Sequence, residues 1–369
     1  MQRSDGLVVR VRPFGGRLAA AQAAGLAELA GRYGNGLIDL TSRANLQIRG
    51  VTDEAYQPLL DGLAQLGLLD QDQATESLRN ILVTPFWTGG DDTPSLAVEL
   101  ERALVVSNLD LPTKFGFAID DGKERVLVGA SADIRIERDV AGGLIVRADG
   151  AELGCGVTRT EAVRAALALA EWFVMSGGVK GGRGRMAAHI GAGLPRTLRG
   201  DARPAPIAPA SRPGLSPQGA MVGVAFGQMP HSTLGRLAAR APALRMTPWR
   251  MMLIEDLQEM PREADLISDA NDPALRVIAC SGAPRCREAF ADTRTLASTL
   301  APYIAADTRL HVSGCAKGCA HSAPAPITLV ATRDGFDLIR NGSTRDVPVK
   351  RGLSGADIVA MPSILTGGH

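Results

Sequence analysis

Five cysteines occur in the 369 residues, and four of them fall in one stretch as two close pairs. The first pair reads Cys280-Ser-Gly-Ala-Pro-Arg-Cys286 and the second, after a further 28 residues, Cys315-Ala-Lys-Gly-Cys319. Thiolates grouped in this way can hold a [4Fe–4S] cluster, whose four sulfur ligands must come from loops able to wrap a cube. Ser281 to Pro284 makes a loop of the first pair, and Gly314 and Gly318 leave backbone room at the second. Structural zinc is the alternative. The three-residue spacer between Cys315 and Cys319 suits it, while the five-residue spacer between Cys280 and Cys286 is wide for it. A disulfide pair has less behind it, since nothing marks the chain as secreted and a chain this long can build a core without staples. Cys155 stands apart and reads as a small buried hydrophobe.

Elements must place these residues. Leu7–Val11 reads as a strand ended by Pro13 and the Gly15-Gly16 pair, and Leu18–Arg32 as a helix stopped at Gly34. Leu37–Leu40 and Leu46–Arg49 read as strands, and Asp53 as the cap of a helix to about Leu66. Strand–helix–strand–strand–helix is half of a ferredoxin-like α+β sandwich. Val126–Val146 holds short apolar runs of β character. The Thr158…Glu161 spacing fits a capping box opening a helix to Met175. Between Gly177 and His189, glycines alternate with Lys180, Arg183 and Arg185. Such a loop can wrap carboxylates or phosphates, or lie as a flexible surface loop; it lacks the spacing of a nucleotide-binding loop.

Five prolines between Asp201 and Gln218 mark a linker near the middle of the chain. The second half then repeats the order of the first. Met221–Ala225 stands for Leu7–Val11, Ser232–Arg240 for the first helix, and Thr247–Ile254 aligns without gaps on Thr41–Ile48. Arg276–Cys280 takes the place of Arg79–Val83, Arg309–Cys315 that of Asp110–Gly116, and Gly335–Gly342 that of Gly143–Gly150. A duplication of this size predicts a pseudo-twofold molecule. The expected division is 1–75 and 219–270 as half-domains, 76–200 and 271–369 as larger α+β domains, and 201–218 as linker.

Composition sets limits on partners. With 45% hydrophobic residues, 21% charged and a net charge of +1, the chain reads as an ordinary globular protein, with no support for nucleic-acid or membrane partners. Met1 to Gly6 lacks the apolar core of a signal peptide and no run reaches transmembrane length, so a cytoplasmic location is expected.

The Cys-x5-Cys and Cys-x3-Cys pairs, with the duplicated order, resemble the sirohaem-dependent sulfite and nitrite reductases and, within that superfamily, the precorrin-3B synthase family. The resemblance implies a duplicated nitrite/sulfite reductase-like α+β fold, in which two ferredoxin-like half-domains and two catalytic-type domains embrace one tetrapyrrole. Thr41-Ser-Arg43 is similar to a Thr-Thr-Arg segment that places an arginine on tetrapyrrole carboxylates. Arg79-Asn80 is similar to a segment whose arginine faces the ring. Leu111-Pro112-Thr-Lys114-Phe115-Gly116 resembles Leu-Pro-Arg-Lys-Phe-Lys, with Gly116 where the second lysine would be. Losing that ammonium counts against reduction of a small oxyanion.

By the resemblance, Arg43, Arg79, Arg183, Arg185 and Lys114 are the substrate-binding candidates, Arg49 a lesser one, and Lys114 also the catalytic one. Cys280, Cys286, Cys315 and Cys319 hold the cluster. The implied activity is oxygen-dependent hydroxylation and lactone formation on precorrin-3A. Electrons would come ultimately from NADH through a separate donor protein. A non-haem iron is associated with the family; no two-His-one-carboxylate pattern stands out, and His321 is a candidate ligand. A short sirohaem-dependent sulfite or nitrite reductase and a zinc-stabilised, non-catalytic binding module are the other readings.

Overall fold

The computed structural model describes residues 2–3 and 6–365. Strand β1 (Gly6–Val11) and the short β2 (Arg17–Ala19) lead into α1 (Ala20–Tyr33), followed by β3 (Leu37–Leu40), β4 (Leu46–Val51) and α2 (Asp53–Gln65). The cap of α2 is Thr52, whose hydroxyl accepts from the Ala55 amide, and not Asp53. The first larger domain follows: β5 (Ile81–Val83), α3 (Thr93–Ser107), β6 (Phe117–Asp120), β7 (Ile134–Arg138), β8 (Leu144–Ala148), β9 (Cys155–Val157) and α4 (Ala162–Met175). Half of the expected capping box forms: the Glu161 carboxylate accepts from the amide and the hydroxyl of Thr158, while the Glu161 amide donates to the Thr158 carbonyl and not to its hydroxyl.

The second half repeats this as β10 (Gly214–Ser216), β11 (Gly219–Val224), β12 (Gln228–Pro230), α5 (His231–Ala238), β13 (Ala243–Met246) and β14 (Met251–Glu255). Then come β15 (Val277–Ala279), α6 (Thr293–Leu300), β16 (Leu310–Ser313), β17 (Ala325–Thr332), β18 (Gly335–Gly342), β19 (Lys350–Leu353) and α7 (Gly355–Ala360). The larger domains carry five-stranded sheets of matching order, β5-β6-β7-β8-β9 and β15-β16-β17-β18-β19. In each the first two pairings are parallel and the last two antiparallel.

The half-domain sheets exchange strands. β2 pairs with β13 of the other half, Leu18 opposite Leu244, and β12 pairs with β3, Met229 opposite Ile38. The expected boundaries 1–75 and 219–270 therefore cut through two sheets that share strands. One apolar core spans both halves, with Val11, Leu26 and Ile48 joined to Val222, Leu244 and Ile254. Across it α1 packs on α5, presenting the stripe Ala23, Leu26, Ala27 and Ala30.

The proline-rich stretch is not a free span. Residues Ala202, Pro204 and Ile207 make bridges to Gly154, Asp139 and Arg125 of the first larger domain, and Gly214–Ser216 is already a strand of the second half.

The ungapped match of Thr41–Ile48 with Thr247–Ile254 holds in three dimensions. Ile38 pairs with Ile48 as Leu244 pairs with Ile254, and the turn residues Ala44 and Arg250 occupy the same left-handed conformation, φ 54° and 59°. Two repeat registers need correction. Phe117 lies between Ile81 and Ile134 as Leu310 lies between Val277 and Ile327, so Leu310 corresponds to Phe117 and not to Leu111, and Val277 to Ile81 and not to Asn80. Lys114 thus precedes its strand, whereas Cys315 follows the equivalent one.

Candidate functional site

The cysteine pairs leave the carboxyl ends of two adjacent parallel strands, β15 and β16, which pair Ala279 with Val312. Ligand sites in such sheets form at this edge, where loops diverge. The two loops are laced together. The Gly314 amide donates to Cys280 Sγ at 3.1 Å, the Phe290 amide to Gly314 O at 2.9 Å, and Lys317 meets Glu288 at 3.2 Å. Gly314 is required by space, because a Cβ there would stand 2.6 Å from Ala289 Cβ and 3.4 Å from Cys280 Sγ. Cys280, Cys286 and Cys315 are half-buried and Cys319 is exposed.

Among the described residues, no three His, Cys, Asp or Glu side chains converge closely enough for a single metal ion. A cube makes a looser demand, since each thiolate meets a different corner. Four thiolates on two joined loops, with an amide already donating to one sulfur, fit that donor set.

Beneath this edge lies a cluster of guanidiniums contributed by several units. Asp39 on β3 accepts from Arg49 of β4 at 2.8 Å and from Gln228 of the exchanged strand at 2.6 Å, with Arg294 at 3.9 Å. Arg285, inside the first cysteine pair, donates to Gln228 Oε1 at 2.8 Å. Arg294 Nε reaches Cys280 O at 3.3 Å, and Arg250 reaches Ala320 O at 3.2 Å. Burial lowers the pKa of Arg294, and the neighbouring cations Arg285, Arg49 and Arg250 add to the effect against the opposing pull of Asp39.

The expected tetrapyrrole ligands divide into distinct groups. Arg43 is half-buried, its Nε meets no hydrogen-bond partner, and burial followed by Arg185 and Arg10 lowers its pKa. Lys114 and Arg183 are exposed, and the glycine-rich loop closes as a tight turn in which Lys180 and Arg183 exchange backbone hydrogen bonds. Arg185 is occupied: it donates to Asp133, Ser131 and the carbonyl of Lys114, tying the loop before β7 to the segment that carries Lys114.

Arg79 departs from expectation. It is 3% exposed, donates to both oxygens of Asp70 at 2.6 and 2.7 Å and to Arg12 O, and lies 3.8 Å from the centre of the Phe14 ring. A ligand carboxylate would have to displace Asp70 from Nε and Nη2; the buried Nη1 makes no hydrogen bond and has Glu101 at 3.5 Å. Arg49 likewise faces inward, 1% exposed, on Asp39. Cys155 is half-buried on the edge strand β9 and not a core residue.

Several residues escaped the sequence. Arg12 is 6% exposed with Nε and Nη1 unpartnered, and burial brings its pKa to about 10. It follows β1 directly and shares Glu76 with the exposed Arg10, at 3.0 and 3.4 Å. His311 of β16 is fully buried with both ring nitrogens unpartnered, its centroid 5.6 Å from His321. Burial, then His321 and Arg250, pushes it down to about 4. Arg250, Arg285 and Arg294 had no motif to mark them.

A family model for the nitrite/sulfite reductase ferredoxin-like half domain matches residues 1–66. The solved structure of the Mycobacterium tuberculosis NirA protein superposes with a TM-score of 0.60 at 18% identity, covering 96% of this chain and 79% of that one. A precorrin-3B synthase of Sinorhizobium sp is 30% identical, over 94% of this chain and 82% of the relative. A ferredoxin–nitrite reductase of Leptolyngbya laminosa is 24% identical, over 91% and 80%. The fold and the half-domain define a protein of the nitrite and sulfite reductase class. Within that class the chain belongs to the precorrin-3B synthase family.

Proposed function

We propose that the chain is a precorrin-3B synthase, catalysing oxygen-dependent hydroxylation of precorrin-3A with lactone formation. The observation that carries this reading is the match to the Sinorhizobium synthase over 94% of this chain and 82% of the relative. Gly116 supports it. A side chain there would begin 2.8 Å from Asn80 Nδ2 and 3.0 Å from Asn80 O, so the second lysine of an oxyanion reductase would require Asn80 to move.

Cys280, Cys286, Cys315 and Cys319 would hold the [4Fe–4S] cluster, which supplies one-electron transfer when bound. The half-buried Arg43, whose Nε is buried without a partner, and the exposed Lys114 and Arg183 would receive substrate carboxylates, for which a planar guanidinium offers two parallel hydrogen bonds. Arg185 would act by position, holding the Lys114 segment against the Asp133 loop. The electron donor is a separate protein in this reading, with NADH the ultimate source.

The Leptolyngbya match keeps a sirohaem-dependent reductase as the second reading. Protein purified without oxygen decides between them. Iron and sulfide with no extractable sirohaem, followed by oxygen-dependent consumption of precorrin-3A, is expected. Stoichiometric sirohaem with nitrite or sulfite reduction would replace this reading, and zinc without iron or sulfide would end both.

A further inference from the structure

The glycine-rich loop is a two-residue hairpin. Gly181 and Gly182 take φ of 55° and 68°, the left-handed conformation that a type I′ turn needs at both central positions. The Lys180 amide donates to Arg183 O at 2.7 Å and the Arg183 amide to Lys180 O at 3.1 Å, so the two residues stand directly opposite each other as an antiparallel pair. Residues opposed in this way present their side chains to one face, with Cβ atoms about 5 Å apart, and like charges placed there repel. Both side chains are exposed, and among the described residues neither the Lys180 ammonium nor the Arg183 guanidinium has a hydrogen bond or ion pair.

The stem of this hairpin is braced. A Cβ on Gly184 would stand 2.1 Å from Gly178 O, so the returning chain lies against the outgoing one. At the foot, the fully buried Asp133 accepts from the Met186 amide at 2.8 Å and Arg185 Nε at 3.0 Å on one oxygen, and from the Gly116 amide at 2.9 Å on the other. One carboxylate therefore ties the hairpin to the segment that carries Lys114. Two like cations held side by side on a braced turn gain nothing from the fold, and an anion set between them would remove their repulsion.

We propose that Lys180 and Arg183 together clamp a single carboxylate arm of the tetrapyrrole substrate, one oxygen on the ammonium and the other on the guanidinium. The proposal deepens the functional reading above and rests on it: Lys180 becomes a substrate-binding residue, and Asp133 a positioning residue that sets the clamp beside the Lys114 segment.

The test is a titration of full-length protein with precorrin-3A in the absence of oxygen, followed by quenching of tryptophan fluorescence, with oxygen-dependent turnover measured alongside. Parent, Lys180→Gln, Arg183→Gln and the double variant are compared; both side chains are exposed, so the substitutions leave packing intact. Each single variant should raise Kd and lower kcat/KM roughly tenfold, as loss of one charge-assisted hydrogen bond implies. The double variant should stay well below the roughly hundredfold product, because both cations serve one carboxylate. The parent's Kd should rise with added sodium chloride and the double variant's more gently. An unchanged Kd in either single variant would overturn the proposal. So would a full multiplicative loss in the double variant, which would give each cation its own carboxylate. Equal salt dependence in parent and double variant would overturn it too, since the loss would then be conformational. A parent that neither binds nor consumes precorrin-3A would overturn the functional reading and this proposal with it, so the parent's own behaviour tells the two failures apart.

Discussion

Arg79 and Arg43 share a side chain and differ in what surrounds it. Arg79 neutralises Asp70 inside the protein, so Arg79→Ala leaves a buried carboxylate unpaired and should cost about 3–5 kcal/mol in denaturant unfolding. Arg43→Gln removes a donor that nothing in the fold uses at Nε. It should leave stability within about 0.5 kcal/mol and weaken binding of a carboxylated tetrapyrrole. An Arg43→Gln protein as unstable as Arg79→Ala would place Arg43 in the scaffold instead.

His311 gives a pH signature. Its pKa falls to about 4 from 6.5 through burial, so the fold favours the neutral ring. That contribution is complete above pH 6.5 and is lost as pH falls through about 4, up to about 3 kcal/mol. Asp120 works in the opposite sense. Burial raises it to about 6, so its contribution is complete below 3.8 and lost as pH rises through 6. His311→Leu should therefore flatten the acid limb of stability between pH 6.5 and 4, measured by chemical denaturation at each pH. An acid limb of unchanged slope would show that other groups produce it.

At the scale of elements, the pseudo-twofold relates two polar rows in which the charge inverts at two of three positions. Gln228, Asp39 and Arg49 in the first sheet answer to Arg17, Arg245 and Glu255 in the second. In the second row Glu255 is held between Arg17, at 2.7 Å to each oxygen, and Arg245 at 2.6 Å. Burial opposes its ionisation, and the two arginines outweigh that. Arg245 goes on to bond the carbonyls of Pro85 and Trp87 and lies 3.5 Å from the Trp87 ring centre. Each row thus grips the loop that leaves the first strand of a larger domain: Pro85–Trp87 after β5, and the Cys280 loop after β15. Glu255→Gln strips the counter-ion from buried Arg245 and should cost about 3–5 kcal/mol, read by urea unfolding. A change below 1 kcal/mol would mean that the carbonyl contacts alone satisfy Arg245.

For the whole molecule, exchange of β2 and β12 makes the two halves interdependent. Fragments 1–213 and 214–369 each keep the core of one larger domain. Each would lose a strand of its half-domain sheet and expose the core shared between halves. Amides of Leu37–Leu40 and Ala243–Met246 should be protected from hydrogen exchange in the co-expressed one-to-one complex and unprotected in either fragment alone. Protection in an isolated fragment would show that the exchanged strand is dispensable. Among the described residues no helix is long and apolar enough to cross a membrane.

The sequence by itself determined whatever depends on near neighbours. It showed the two cysteine pairs, the strand–helix order of both halves, the Thr41–Ile48 repeat, and the glycine at 116. Period, spacing and turn chemistry act over a few residues, so one chain displays them. The tertiary structure alone decided which charges were already spent. Arg294 meets Asp39 and Arg245 meets Pro85 from the opposite half of the chain, and Arg285 meets Gln228 on the exchanged strand. An arginine's environment is set by groups folding brings within a few ångströms, and no local pattern encodes them. Arg79 accordingly reads like Arg43 in sequence, yet its Nε and Nη2 lie on Asp70 while the Nε of Arg43 faces no acceptor.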